Sequence, residues 1–321
     1  MKTKITIATL FLLVFSTVNA QKYDIKTAKT YAEISAKTDG KWENRKYIGG
    51  TVFKNVNQLK LSPEHTDHSF DIRYEGPGWE SNKVGYRLYL DWRNAIDIFG
   101  KKTEAIILPE VGQDNFDSYH EMSDWGSDIL KAGKGIGIGS IDRYLDNKKL
   151  HFYEVDSTIA NVENKVKQSS VKIRYYGWKT ASDKIDFTSE LIIKPDQLYT
   201  EHKIKASKEI KGICTGIVKQ KNTELLKKES KNKKWAYLAT YGIQSLVPDK
   251  LGMAIFYETS TIENAVDAEL DYLLVFKPAT KAISFYFLGA WEQQPDGIKS
   301  QDEFVKYLNE KLELLNKKGK L

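Results

Sequence analysis

Apolar and polar residues take turns along much of this chain. From Val171 to Tyr176 the order is Val-Lys-Ile-Arg-Tyr-Tyr, and the same alternation runs through Lys184–Thr188 and Tyr199–Lys205. A period of two puts successive side chains on opposite faces, so these segments predict half-buried strands. Gly252–Tyr257, Asp271–Phe276 and Ala282–Leu288 are more continuously apolar and predict central strands. Turn residues punctuate the runs, as in Thr38-Asp39-Gly40, Lys194-Pro195-Asp196 and Lys277-Pro278. Helical spacing is clearest at the end of the chain. Ser300-Gln-Asp-Glu303 reads as a capping box, and Phe304, Leu308, Leu312 and Leu315 follow on one face. A second helical piece is predicted over Glu121–Lys131. The charged, lysine-dense stretch Glu224–Lys234 reads as a solvated loop. With no internal repeat, no Pro/Ser-rich linker and no βαβ rhythm, the fold class is mainly β. The expectation is one large antiparallel β-sandwich over residues 21–321, with helical decoration including a C-terminal helix.

The first twenty residues break the pattern. Lys2 and Lys4 precede an apolar run from Ile5 to Phe15, and Val18-Asn19-Ala20 puts small residues at the −3 and −1 positions of a cleavage site. This layout predicts a cleaved signal peptide at residues 1–20 and a periplasmic or secreted protein. The run is shorter than the ~20 residues a spanning helix needs, so no membrane anchor is expected.

Composition adds little until charge is placed. The net charge is +6, and removing residues 1–20 takes two lysines and leaves about +4. Lysines are interspersed with acids, which argues against nucleic acid, while the modest positive balance suits an anionic substrate. The single cysteine, Cys214, lies in an apolar context and is expected to be a buried, inert thiol. Aromatic residues make up 12% of the chain. That richness suits a large β-protein and equally suits sugar stacking.

Two segments concentrate charge, aromatics and glycine. The first runs from Phe70 to Lys101. Its Tyr74–Ser81 turn carries Glu75, Trp79 and Glu80, and Tyr86–Asn94 reads as a strand. On a strand, Tyr86, Leu88, Leu90 and Trp92 share one face, while Arg87, Tyr89, Asp91 and Arg93 share the other. That second face is costly to bury unless its members pair with each other or meet a ligand. Arginine grips a carboxylate bidentately. The second segment, Asp114–Gly139, offers Tyr119, His120, Glu121 and Asp124 as proton-transfer candidates. If Gly133, Gly135, Gly137 and Gly139 lie on a strand, they share a face that leaves backbone bare to a flat ligand or to a packed ring. The run lacks P-loop spacing. His65, Asp67 and His68 offer a loose metal cluster or simply a polar loop before a strand. No metal or cofactor is called for, and no G-x-S-x-G nucleophile elbow occurs.

The blocks RYEGPGWESNKVGYRLYLDWRNAIDIFGK and DSYHEMSDWGSDILKAGKGIGIGS resemble the signature blocks of a bacterial family catalogued as a domain of unknown function. Members of that family are exported and often encoded in polysaccharide-utilisation clusters, some beside or fused to unsaturated glucuronyl hydrolases. One member is an ulvan oligosaccharide dehydratase. The resemblance implies a galactose-mutarotase-like supersandwich and an oligosaccharide substrate. It also implies removal of water across C4–C5 of a non-reducing-end uronic acid, giving a 4,5-unsaturated uronate. That chemistry needs a neutralised carboxylate, a base at C5 and an acid at the C4 hydroxyl. Within the two blocks, Arg93, with Arg87 in reserve, is the candidate for the carboxylate. His120 is the base or acid and Tyr119 its partner, with Glu121 or Asp124 orienting the histidine. Asp91 and Asn94 join the binding set, and Trp79, Trp92 or Trp125 would stack on sugar. The rivals are a polysaccharide lyase, a mutarotase or epimerase, and a non-catalytic oligosaccharide-binding protein.

Overall fold

A computed structural model describes residues 22–50, 52–113, 118–221 and 223–321. The signal peptide predicted over residues 1–20 lies outside them. Three antiparallel sheets carry the fold. The largest has nine strands in the order Glu224–Glu229, Trp235–Ile243, Lys250–Glu258, Ile283–Trp291, Tyr199–Ala206, Asp183–Ile193, Gln168–Thr180, Ser157–Lys165 and Gln58–Lys60. Each alternating segment named above falls inside one of these strands. Glu224–Glu229, expected as loop, is the edge strand instead. Its charged, exposed side chains hide it from a hydrophobic pattern, and they also discourage pairing with another chain.

Two five-stranded sheets pack against one face of the large sheet. One comprises Thr30–Glu33, Gly78–Ser81, Val84–Leu88, Ile96–Lys101 and Gly126–Asp128 in that order. The other comprises Lys148–Leu150, Asp142–Leu145, Ile213–Val218, Asp271–Phe276 and Ile262–Asp267. Contact with the first is close: a Cβ on Gly289 would stand 2.7 Å from the Ile98 side chain. Polar ties cross the same interface. Trp79 Nε1 donates to Thr200 Oγ1 at 2.9 Å, Tyr86 Oη donates to the Leu198 carbonyl at 2.6 Å, and Gly289 N donates to Tyr86 Oη at 2.9 Å.

The helix Gln301–Lys318 covers the opposite face, burying Phe304, Leu308, Leu312 and Leu315. Ser300 Oγ accepts from Glu303 N, and the Glu303 carboxylate accepts from Lys299 N, so the cap forms as the sequence specifies with its return bond one residue earlier. No helix forms over Glu121–Lys131. Gly126 adopts φ 126° against the Gly100 carbonyl, and Gly126–Asp128 adds a short strand to the sheet. Among the described residues the main apolar core runs from Ala32 to Leu315, with smaller clusters beside it, one of them around Tyr74, Phe99 and Tyr119.

Candidate active site

The polar face expected on Tyr86–Asn94 does assemble, although a straight strand does not build it. The strand ends at Leu88. Asp91 Oδ1 accepts from Arg93 N at 2.8 Å, and Asn94 takes a left-handed φ of 46°. The chain therefore turns back through Asp91–Asn94, the usual work of Asp and Asn side chains. The turn lays the Arg93 guanidinium over the Tyr89 ring, 4.1 Å from its centroid. Arg93 Nη2 reaches Asp67 at 2.8 Å and Glu75 at 3.0 Å, and also contacts Asp91. Its Nη1 makes no hydrogen bond among the described residues.

Arg87 lies beneath, fully buried. Nη1 donates to Tyr119 Oη at 2.7 Å, while Nη2 donates to Asp128 at 2.7 Å, Asp97 at 3.0 Å and Tyr89 Oη at 3.0 Å. Arg87 therefore cannot serve as a reserve grip on substrate, because its fork is spent on internal partners. Burial and the neighbouring Asp128 push the Asp97 carboxyl up to about 7, against the pull of Arg87. Burial also raises Tyr119, with Arg87 opposing, so the phenol stays protonated. Arg87 Nε and Asp97 Oδ1 are buried without hydrogen-bond partners. A cluster serving only stability is normally closed more completely.

His120 stands at the outer edge of this network. Its side chain is 40% exposed, and Nδ1 lies 3.3 Å from the fully buried Asp128 Oδ2. Asp128 is therefore the carboxylate that stands against the partly exposed imidazole. Glu121 and Asp124, expected in that role, are exposed. Asp128 lies on the strand Gly126–Asp128, eight residues beyond His120, and sheet pairing delivers it where local sequence reading looked nearer. Tyr119 is buried beside His120, with ring centroids 4.5 Å apart.

The backbone around Arg93 is unusual. His68, Phe70, Tyr74, Glu75 and Asn94 all have positive φ, between 40° and 67°. Each left-handed non-glycine residue costs about 1–3 kcal/mol, and such residues gather where function holds them. A buried anchor keeps the loop in place: Tyr74 Oη donates to Glu33 at 2.6 Å, and Arg73 contacts Glu33 and donates to the Pro109 carbonyl.

The metal reading of the histidine pair changes. His65 turns inward onto Asp71 at 2.8 Å and does not meet His68. Asp67, His68 and Glu75 do converge, with ligand atoms within 4.8 Å of one another. The Arg93 guanidinium already supplies the positive charge between Asp67 and Glu75. The donor set does not fit a cation with Arg93 in place.

Other expectations need correction. Trp79 is fully buried and bonded to Thr200, so it stacks on no sugar. Asn94 is buried, donating to the Ile141 carbonyl and accepting from Tyr175 Oη at 2.6 Å, so it holds the turn and leaves substrate alone. Asp91 is buried against Arg93 and positions it. Trp92 and Trp125 are half-buried and keep surface for a ligand. The glycine run is no strand. Gly133, Gly137 and Gly139 have positive φ, and a Cβ on Gly139 would collide with Phe287, so the packed-ring alternative is realised there. Cys214 is buried. Glu75 and Tyr89 carry a sequence signal, the turn and the polar strand face, whereas Asp97 and Asp128 carry none.

A family model described as a domain of unknown function, DUF4861, matches residues 8–320. No curated protein matches the sequence. Five solved chains match. A 4-alpha-glucanotransferase from Thermococcus litoralis is 10% identical with a TM-score of 0.33, over 70% of this chain and 38% of that one. This chain thus spans well under half of that enzyme. A protein carrying the name aldose 1-epimerase from Klebsiella pneumoniae is 8% identical with a TM-score of 0.35, over 74% and 82%. A TPR-domain containing protein from Parabacteroides distasonis is 8% identical with a TM-score of 0.34, over 81% and 54%.

Proposed function

The chain belongs to the DUF4861 family, and on that premise we propose that it is an exported carbohydrate-active dehydratase. Its substrate would be an oligosaccharide of the ulvan type ending in a uronic acid. The observation that carries the reading is the exposed His120 imidazole backed by buried Asp128, linked through Arg87 and Glu75 to Arg93, around which left-handed residues gather.

Arg93 Nη1 donates to the uronate carboxylate, and that hydrogen bond draws charge from it and makes the C5 proton more acidic. His120 Nε2 takes that proton, and Asp128 stabilises the imidazolium that results. The C5–H electron pair becomes the C4–C5 double bond as the C4–O bond breaks. The hydroxyl leaves as water with a proton from Tyr119. Arg87 Nη1, at 2.7 Å, stabilises the phenolate left behind. The imidazolium then returns a proton to the phenolate, directly or through solvent, and the site is restored. No cofactor enters these steps.

The test is to incubate the protein with saturated oligouronates, ulvan fragments included, while following ultraviolet absorbance and product mass. Gain of a double bond with loss of one water supports dehydration. Chain cleavage indicates a lyase, an altered configuration without mass change an epimerase, and binding without any change a binding protein. His120→Ala should abolish turnover and leave the circular dichroism spectrum intact; full activity in that variant would remove the assignment.

A further inference from the structure

A cleft opens beside Asp91 and Trp92, in the turn that carries Arg93. Its volume is about 350 Å³, and Arg45, Lys60, Asp91, Trp92, Tyr153 and Asp156 are among its walls. Trp92 and Tyr153 stack nearly parallel, with centroids 4.9 Å apart at 8°. Tyr153 is 65% exposed, so the pair presents a ring face to solvent that the fold leaves uncovered. His151 supports the stack from below, edge-on to Trp92 at 5.1 Å.

The charges of this cleft do not balance. Asp91 is bonded to Arg93, and Asp156 pairs with Lys184 at 2.7 Å. Arg45 and Lys60 make no ion pair among the described residues. Arg45 is held all the same. It sits with Asn44 in the turn between the strands Gly40–Glu43 and Lys46–Gly49, at φ 61°, where glycine is the easy choice. Its Nε donates to the Glu64 carbonyl at 3.2 Å and Nη2 to the His65 carbonyl at 2.9 Å. Neutral carbonyls fix the guanidinium without cancelling its charge, which leaves it available to an anion.

We propose that this cleft is a subsite for the saccharide unit next to the reacting one, with the Trp92–Tyr153 stack offering its exposed Tyr153 face to that ring and Arg45 and Lys60 binding an anionic substituent, carboxylate or sulfate. The proposal rests on the carbohydrate reading of the Arg93 site. It goes beyond that reading by requiring charge on the second sugar, which the elimination chemistry does not need.

The test uses three oligosaccharides that share a terminal saturated uronate and differ only in the adjacent unit: neutral, sulfated or carboxylated. Affinities are measured by calorimetry in a His120→Ala background, so that no probe is consumed. One or both charged neighbours should bind roughly tenfold more tightly than the neutral one, and whichever does identifies the group recognised. The Arg45→Ala/Lys60→Ala double variant should erase that preference and leave the neutral probe unchanged. Tyr153→Ala should weaken all three by roughly three- to tenfold, and Tyr153→Phe should restore them. Equal affinity for charged and neutral neighbours, a charge preference that survives the double variant, or no binding of any probe overturns the subsite. Failure of the dehydratase reading looks different: charge-dependent binding persists while the wild-type protein releases no water. Turnover that ignores the adjacent charge would sink the subsite alone.

Discussion

Removing the Arg87 guanidinium would strand Asp97 and Asp128 in the interior with no counter-charge. Breaking one member of such a buried set costs about 3–5 kcal/mol, so Arg87→Met is expected to lower the denaturation midpoint sharply. It should also displace Tyr119 and the carboxylate that orients His120. Arg93→Lys makes a useful contrast. It keeps a charge near Asp67, Glu75 and Asp91 but loses the planar fork, so KM should rise with little change in melting temperature. A different histidine governs acid stability. His202 is fully buried, bonded through Nδ1 to the Gly139 carbonyl and through Nε2 to Ser189, and burial lowers its pKa from 6.5 to about 4. Between those values the unfolded chain binds a proton that the folded chain refuses, so stability falls as pH drops from about 6.5 to about 4, by up to about 3 kcal/mol. Asp97, raised to about 7, acts in the opposite sense, its contribution being lost as pH rises. The difference between wild-type and His202→Gln melting curves across this range isolates the histidine, and a flat difference would refute the assignment. At this scale the sequence was a partial guide. Arg93, His120 and the polar face were legible because their residue types are costly to place without purpose. Asp128, and the internal burial of Arg87 and Trp79, depend on pairing between distant strands that no local pattern encodes.

Elements were legible wherever one rule dominated. Alternation marked the long strands, and the Ser300 cap marked the helix. Ser300→Ala is expected to cost about 1 kcal/mol, visible as a small drop in melting temperature without loss of activity. Reading failed where backbone geometry overrode pattern. Asp91 and Asn94 ended a strand that hydrophobic spacing would have continued, Gly126 replaced a helix with a strand, and the charged edge strand Glu224–Glu229 looked like loop. The glycine run belongs with these cases. Gly139→Ala would need a Cβ within 2.7 Å of three Phe287 side-chain atoms at a φ of +66°, so a loss of about 2–4 kcal/mol is expected by chemical denaturation.

At the scale of the molecule, the sheet that carries Arg87 and Asp128, with Arg93 and His120 on connections between its strands, is built wholly from residues 30–128, yet its inner face packs on strands from much later in the chain, with ties to residues 198–200 and 289. Ile283–Trp291 is also an interior strand of the large sheet, between Lys250–Glu258 and Tyr199–Ala206. A ribosome working from the N-terminus therefore delivers the third of the chain that holds the candidate site long before it delivers all that this third rests on. Until Ile283–Trp291 emerges, Tyr86 and Ile98 lack the Phe287 ring and the Gly289 backbone that cover them. Such non-local closure makes for slow folding and prolonged exposure of sticky intermediates. Nascent chains stopped before residue 283 should be protease-sensitive across residues 30–128, and those released past the C-terminal helix should be protected throughout.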